Sequence, residues 1–258
     1  MSERERVREM VLDQRRVLPK VGGKKLYYLL SEQIQQAGIK MGRDALFDTL
    51  RMYGLLIKPV RSYTKTTDSK HWMHKHPNLL KDGQMNIDRP DQVYVSDITY
   101  IKSRERTHYL SLVTDAYSRK IMGYHLSDDL SAESVVQAMK MAARNRSRSL
   151  PLIHHSDRGL QYCSEVYQRV LKNNNITPSM TDGYDCYQNA LAERMNGILK
   201  QEFLSCKCNN AVELNMLIKQ SVEIYNDKRP HLALKMKTPN FIHQNSAGSK
   251  DPTLSLKI

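Results

Sequence analysis

A carboxylate set inside an apolar strand constrains this chain more than any other feature. In VYVSDITYI (93–101), Val93, Val95, Asp97, Thr99 and Ile101 point one way, and Tyr94, Ser96, Ile98 and Tyr100 the other. That period of two predicts a β-strand, and a charge placed within it is costly unless paired or metal-bound. Asp157 ends a second apolar run, LIHHSD (152–157). A third acid, Glu193, lies in QNALAERMNGILKQEF (188–203), which has no proline and one glycine. There Leu191, Met195, Ile198 and Leu199 fall at helical spacing within a sector of about 100°, and Asn189, Glu193, Asn196 and Lys200 within about 60° on the other side. Alone, such a polar face is the solvated side of a helix.

The order of periods around these acids sets the fold. RERVREMVLDQRR (4–16) reads as a short charged helix broken by Gly22-Gly23. Residues 25–38 carry a helical stripe through Leu26, Leu29, Leu30 and Ile34 and stop at Gly38. Leu46, Phe47 and Leu50 form the stripe of the next helix, giving a helix-turn-helix pattern over 1–56. Residues 57–90 lose periodicity and read as a basic linker. After the strand at 93, KSRER (102–106) and Ser118-Arg119 turn the chain into strands 108–117 and 120–127, an antiparallel meander. A helix capped by Ser131 follows, then the strand holding Asp157, which needs a crossover and so runs parallel to a partner. Helix 165–172, strand 176–180 and the helix of Glu193 complete the core (91–205). Residues 206–258 hold a helix of about 210–226 ended by Pro230, and a tail that is loose after Asn245.

The chain has 258 residues, 40% of them hydrophobic, enough for a packed core. No apolar run is long enough to span a bilayer, and the charged start MSERERVREM has no secretory apolar segment, so a cytoplasmic protein is expected. Net charge is +13, densest before residue 91, which points to a polyanion partner, most simply nucleic acid. Cys163, Cys186, Cys206 and Cys208 are too few for a disulfide scaffold. His71, His74 and His76 have no cysteine nearby and read as linker, with no zinc expected.

Thirty-five residues separate Asp157 from Glu193. The triad Asp97, Asp157, Glu193 resembles the D,D(35)E signature of the retroviral-integrase superfamily, and ERMNGILK (193–200) resembles its ExMNxxLK helix. HSDRGLQY (155–162) and YNDKRPH (225–231) resemble the B-frame transposases of the insertion-sequence-three family of bacterial insertion sequences. The likeness covers about residues 20–240, with Tyr94 where relatives commonly carry Trp. It implies an α/β fold: a ribonuclease-H-like integrase catalytic core, a mixed five-stranded sheet flanked by helices, behind a small helical domain.

The resemblance implies a metal-dependent DNA transposase performing 3′-end cleavage and strand transfer. Asp97, Asp157 and Glu193 would be its catalytic acids and its ligands for two Mg²⁺ ions about 4 Å apart, with Mn²⁺ as substitute and Asp97 bridging. The expected DNA contacts are Lys200, Asn196, Arg194, Arg158, Arg229 and Arg43. Arg229 and His231 serve equally well as ties from the last helix to the core. Asp115 reads as a turn carboxylate, His155 as a structural hydrogen-bonding group and Gly159 as a positive-φ turn. The implied partners are the element's terminal inverted repeats, target DNA, further copies bridging two ends, and an upstream A-frame product or its frameshift fusion. Membranes are not among them, and the nucleoid is the expected workplace. Two alternatives stay open: a non-catalytic DNA-binding relic or regulator on this fold, and a ribonuclease-H-type hydrolase that never joins strands.

Overall fold

The computed structural model describes residues 2–57, 71–81, 85–144, 146, 148–182 and 189–245. Helices α1 (Glu3–Val17), α2 (Gly23–Gln36) and α3 (Arg43–Met52) come first. Ser2 and Glu5 form a capping box on α1. Helix α2 ends where Gly38 adopts φ +70° and the Ile39 N–H donates to the Ile34 carbonyl, closing the last turn.

The core follows as β1 (Val93–Lys102), β2 (Thr107–Asp115), β3 (Ile121–Ser127), α4 (Ala132–Ala143), β4 (Leu152–Ser156), α5 (Leu160–Cys163), α6 (Glu165–Asn173), β5 (Ile176–Met180) and α7 (Ala190–Ile198). The strands make one sheet in the order β3-β2-β1-β4-β5. The meander β1-β2-β3 is antiparallel, and β4 runs parallel to both β1 and β5. This is the mixed five-stranded sheet expected.

Both faces of the sheet are covered, as the alternation in β1 requires. Tyr94 and Ile98 pack with Val135 and Met139 of α4 and Tyr167 of α6. Val93 and Val95 pack on the other face with Ala192 of α7, Leu234 and Ile242. The approach of α4 to β3 is closest at Gly123, where a Cβ would lie 2.1 Å from the Ala138 carbonyl oxygen and 2.8 Å from the Ala142 nitrogen. Backbone cannot yield as a flexible side chain does, so Gly123→Ala is expected to cost about 2–3 kcal/mol in urea unfolding.

The chain ends in α8 (Ala211–Lys228), a 3₁₀ turn (Leu232–Leu234) and α9 (Pro239–Asn245). The last of these lies in what reads as tail, and it starts with Thr238 accepting from the Phe241 N–H and proline at its first position. One apolar cluster runs from Val11, Leu26 and Leu46 through Met195 and Phe203 to Ile218 and Tyr225, joining the N-terminal helices to α7 and α8. Asn226 of α8 seals β3: the Ile121 N–H donates to its Oδ1 and its Nδ2 donates to the Ile121 carbonyl, each at 3.0 Å.

Part of the expected linker is docked. His71 Nε2 lies 2.7 Å from the Arg158 carbonyl oxygen, the Met180 N–H donates to the Pro77 carbonyl at 3.3 Å, and the Leu79 N–H donates to Ser179 Oγ at 3.0 Å. The remainder, 58–70 and 82–84, lies outside the described residues, as do Cys186 and the tail from 246.

Candidate active site

The parallel pairing of β1 and β4 sets Val95 opposite His155. Two residues further come Asp97, within β1, and Asp157, just past the end of β4. Continuing that register sets them side by side, on the face that carries α7. Glu193 lies in the first turn of α7, next to Ala192, which packs on Val93 and Val95. The three carboxylates sense one another. Burial, then Asp157, then to a lesser degree Glu193, push the Asp97 carboxyl up to about 7. Glu193 is raised by burial and by Asp157. Hydrogen bonds from Asn196 and the Ile98 N–H oppose the rise at Asp97 without cancelling it.

The polar side of the Glu193 helix is not a solvated face. Asn189 Nδ2 donates to the Ser96 carbonyl at 3.0 Å, Asn196 Nδ2 to Asp97 Oδ2 at 2.8 Å, and Lys200 Nζ to Thr99 Oγ1 at 3.2 Å. Three positions of one helix thus step along β1 and bracket Asp97, whose Oδ1 accepts from the Ile98 N–H at 2.9 Å. Asn189 and Asn196 are buried, and β1 supplies acceptors for their Nδ2 groups, while their Oδ1 atoms have no partner among the described residues. Past Ile198 the helix widens to a π-turn over Leu199–Phe203, with the Leu204 N–H reaching the Leu199 carbonyl. The continuous α-helix read over 188–203 is corrected to this extent.

Integrase core domain profiles match residues 87–186 and 174–239. An insertion element IS600 protein of 31 kDa from Shigella sonnei is 35% identical over 207 residues, covering 80% of this chain and 76% of that protein. The chain belongs to the integrase-core transposases of bacterial insertion sequences. The transposase InsF of insertion sequence IS3A from Escherichia coli is 33% identical over 173 residues, covering 67% of this chain and 60% of InsF. The fold is shared with a chain of the simian T-cell lymphotropic virus intasome bound to PP2A regulatory subunit B56 gamma, at TM-score 0.53 and 15% identity, covering 86% of this chain and 74% of that one.

The other expected site residues of this transposase fall into three groups. Arg194 is exposed, Arg43 is exposed and paired with Asp44 at 2.8 Å, and Arg158 is partly buried with Nη2 3.8 Å from Asp182. Asn196 and Lys200 face β1 as described. Arg229 is 2% exposed: its Nε and Nη2 donate to Glu202 at 2.7 and 2.6 Å, and its Nη1 lies 2.9 Å from His231 Nε2. It ties α8 to the π-turn, the second of the two roles expected of it. His231 is stacked edge-on against Tyr225, and burial followed by Arg229 holds its imidazole down to about 2.

Gly159 is likewise corrected. It has φ −63°, caps α5, and donates its N–H to Asp157 Oδ1 at 3.0 Å, so it orients the carboxylate and makes no left-handed turn. His155 is buried against Ser179 Oγ at 2.8 Å. Asp115 is fully buried and accepts from the Asp91 N–H at 3.0 Å and from the Ser118 N–H and hydroxyl at 2.7 and 2.6 Å. Asp91, Asp115 and His243 bring ligand-type atoms within 4.8 Å of one another. Asp115 pairs with Tyr94, three residues back along β1 from Asp97, so this cluster stands apart from the triad. With Ser118 Oγ 3.1 Å from His243 Nδ1, it docks α9 on the sheet.

The raised Asp97 carboxyl has a stability consequence. Its folded pKa of about 7 lies above the unfolded value of about 3.9. The folded state therefore holds the proton more tightly, and stability falls as pH rises from about 4 to 7 and stays reduced above. Asp97→Asn removes that charge, and the Asn196 amide, whose Oδ1 has no partner among the described residues, can flip to match the new amide. In metal-free buffer at pH 8 the variant is expected to be more stable by about 1–2 kcal/mol after allowance for solvent screening, with no difference at pH 4, as read by thermal melts.

Proposed function

We propose that this chain catalyses DNA 3′-end cleavage and strand transfer. The observation that carries this reading is the alignment of Asp97 in β1 with Asp157 at the end of the neighbouring parallel strand β4 and Glu193 on the helix above them, their charges coupled. A water oxygen attacks phosphorus at the element end, the bond to the 3′ oxygen breaks, and that oxygen leaves as a 3′ hydroxyl. The freed hydroxyl then attacks a target phosphodiester, losing its proton as the target's own 3′ oxygen departs. Neither transfer needs a covalent link to the protein.

The donor set is carboxylate oxygen only, and its crowding raises two of the three acids, so divalent magnesium or manganese suits it. Asp97, Asp157 and Glu193 would hold the ions. When bound, a divalent pair supplies Lewis acidity to the attacking and leaving oxygens of an in-line transfer. Asn196 and the Ile98 N–H aim the Asp97 carboxylate, and the Gly159 N–H aims that of Asp157. Arg158, Arg194, Arg43 and Lys200 are the proposed contacts to phosphate, each weakened by salt as counterions are released. Copies of the chain would bridge two element ends, with the upstream A-frame product or its fusion supplying end recognition. The nucleoid is the proposed workplace; among the described residues no helix is long and apolar enough to cross a membrane.

The test is incubation of the protein, alone and fused to the upstream frame, with labelled element-end duplex, plasmid target and Mg²⁺ or Mn²⁺. Nicked and joined products are expected. A folded preparation that binds the duplex yet yields neither product would end the proposal, and nicking without joining would favour the hydrolase.

A further inference from the structure

Resting on that reading, a second feature of the docked segment 71–81 concerns the substrate itself. Trp72 is the sole tryptophan of the chain and is 92% exposed. An indole is the largest apolar side chain, and leaving one in water forgoes burial that the fold elsewhere exploits. Its neighbours are held. His71 lies against the carbonyl of Arg158, the residue after Asp157, and Lys75 Nζ donates to the His71 carbonyl at 2.9 Å. Met73 packs into the cluster formed by Tyr162, Cys163 and Met180. The backbone on both sides of Trp72 is thus anchored beside the Asp157 strand while the ring between is kept out of the core. The Lys75 ammonium, bonded to the carbonyl of the peptide group that leads into Trp72, sets a cationic group beside it.

A flat apolar ring beside an ammonium, on a segment held against the residue that follows Asp157, matches one ligand chemistry, an unpaired base whose own phosphate is held nearby. We propose that Trp72 stacks on a base unpaired at the DNA end, next to the phosphate presented to Asp97, Asp157 and Glu193. Holding that base out of the duplex would keep the terminal phosphodiester in the site and favour frayed or processed ends over intact duplex. Anchored neighbours mean that little ordering of the backbone is needed on binding.

Because Trp72 is the sole tryptophan, intrinsic fluorescence reports on it directly. The protein is titrated, in Ca²⁺ to suppress chemistry, with a blunt element-end duplex and with the same duplex carrying unpaired terminal bases. Each duplex bears fluorescein at its far end so that anisotropy reports binding separately. Strong quenching by the frayed duplex and weak quenching by the blunt one are expected. Trp72→Ala should weaken frayed-end binding about tenfold while blunt-end binding stays nearly unchanged, and Trp72→Phe should recover most of the loss. Equal quenching by the two duplexes, or a Trp72→Ala variant with unaltered frayed-end preference while anisotropy still shows binding, overturns the stacking role and leaves the transposase reading standing. Failure of both duplexes to bind overturns the stacking role, and the transposase reading is then decided by the cleavage and joining test.

Discussion

Asp97→Asn, Asp157→Asn and Glu193→Gln should each lower strand joining by about a thousandfold or more, with DNA affinity nearly unchanged. Each substitution exchanges a carboxylate for an amide of the same shape, so packing survives. What is lost is a negative oxygen in a set of three, and with it several kcal/mol of transition-state stabilisation that cations held there would supply. A merely structural role for these acids predicts a different pattern, in which melting temperature and activity fall together. Isothermal titration with Mn²⁺ separates the two: wild type should take up metal and each variant should bind it more weakly. Near-normal joining by any one variant would remove that residue from the catalytic set.

Removing Arg229 should be the most destabilising single change in the C-terminal part, about 3–5 kcal/mol for Arg229→Ala. The guanidinium makes two short bonds to Glu202 and stacks 5.7 Å from the Tyr225 ring centroid. In the intact protein burial, then the neighbouring Arg229, hold the Lys25 ammonium of α2, 3.6 Å from Glu202, down to about 8, so the substitution leaves Glu202 with Lys25 in place of a two-bond partner. The loss is therefore that of a buried charge left poorly matched, and urea denaturation should show a lower midpoint with an unchanged slope. Were Arg229 a phosphate contact, the variant would fold normally and bind DNA with a salt dependence reduced by about one ion.

Much of this was legible in the sequence for physical reasons. A period of two in VYVSDITYI and an acid within it define a strand with something to bind. The short meander turns, the crossovers and the helix after each late strand then leave few arrangements. The errors share a cause as well. Helical spacing shows that Asn189, Asn196 and Lys200 share a side, but not that a strand with free acceptors lies opposite. The charge of Arg229 points to an anion, and nothing local in YNDKRPH says that the anion is Glu202. Glycine after an acid suggests a left-handed turn, yet a backbone N–H aimed at that acid uses the same residue in extended geometry. Thr238-Pro239 is a start signal for α9, with the Thr238 hydroxyl accepting from the Phe241 N–H and proline at the first helical position.

Asn226 has a consequence for how copies of this protein can meet. By giving the outer rim of β3 a side-chain amide in place of another backbone, it occupies hydrogen-bonding capacity that a foreign strand would otherwise use. At the opposite rim, Pro178 removes a donor from β5 and the 77–80 segment lies across it. Pairing by a foreign strand is thereby discouraged at Ile121 on one margin and around Pro178 on the other, the points where each rim of the sheet is already engaged.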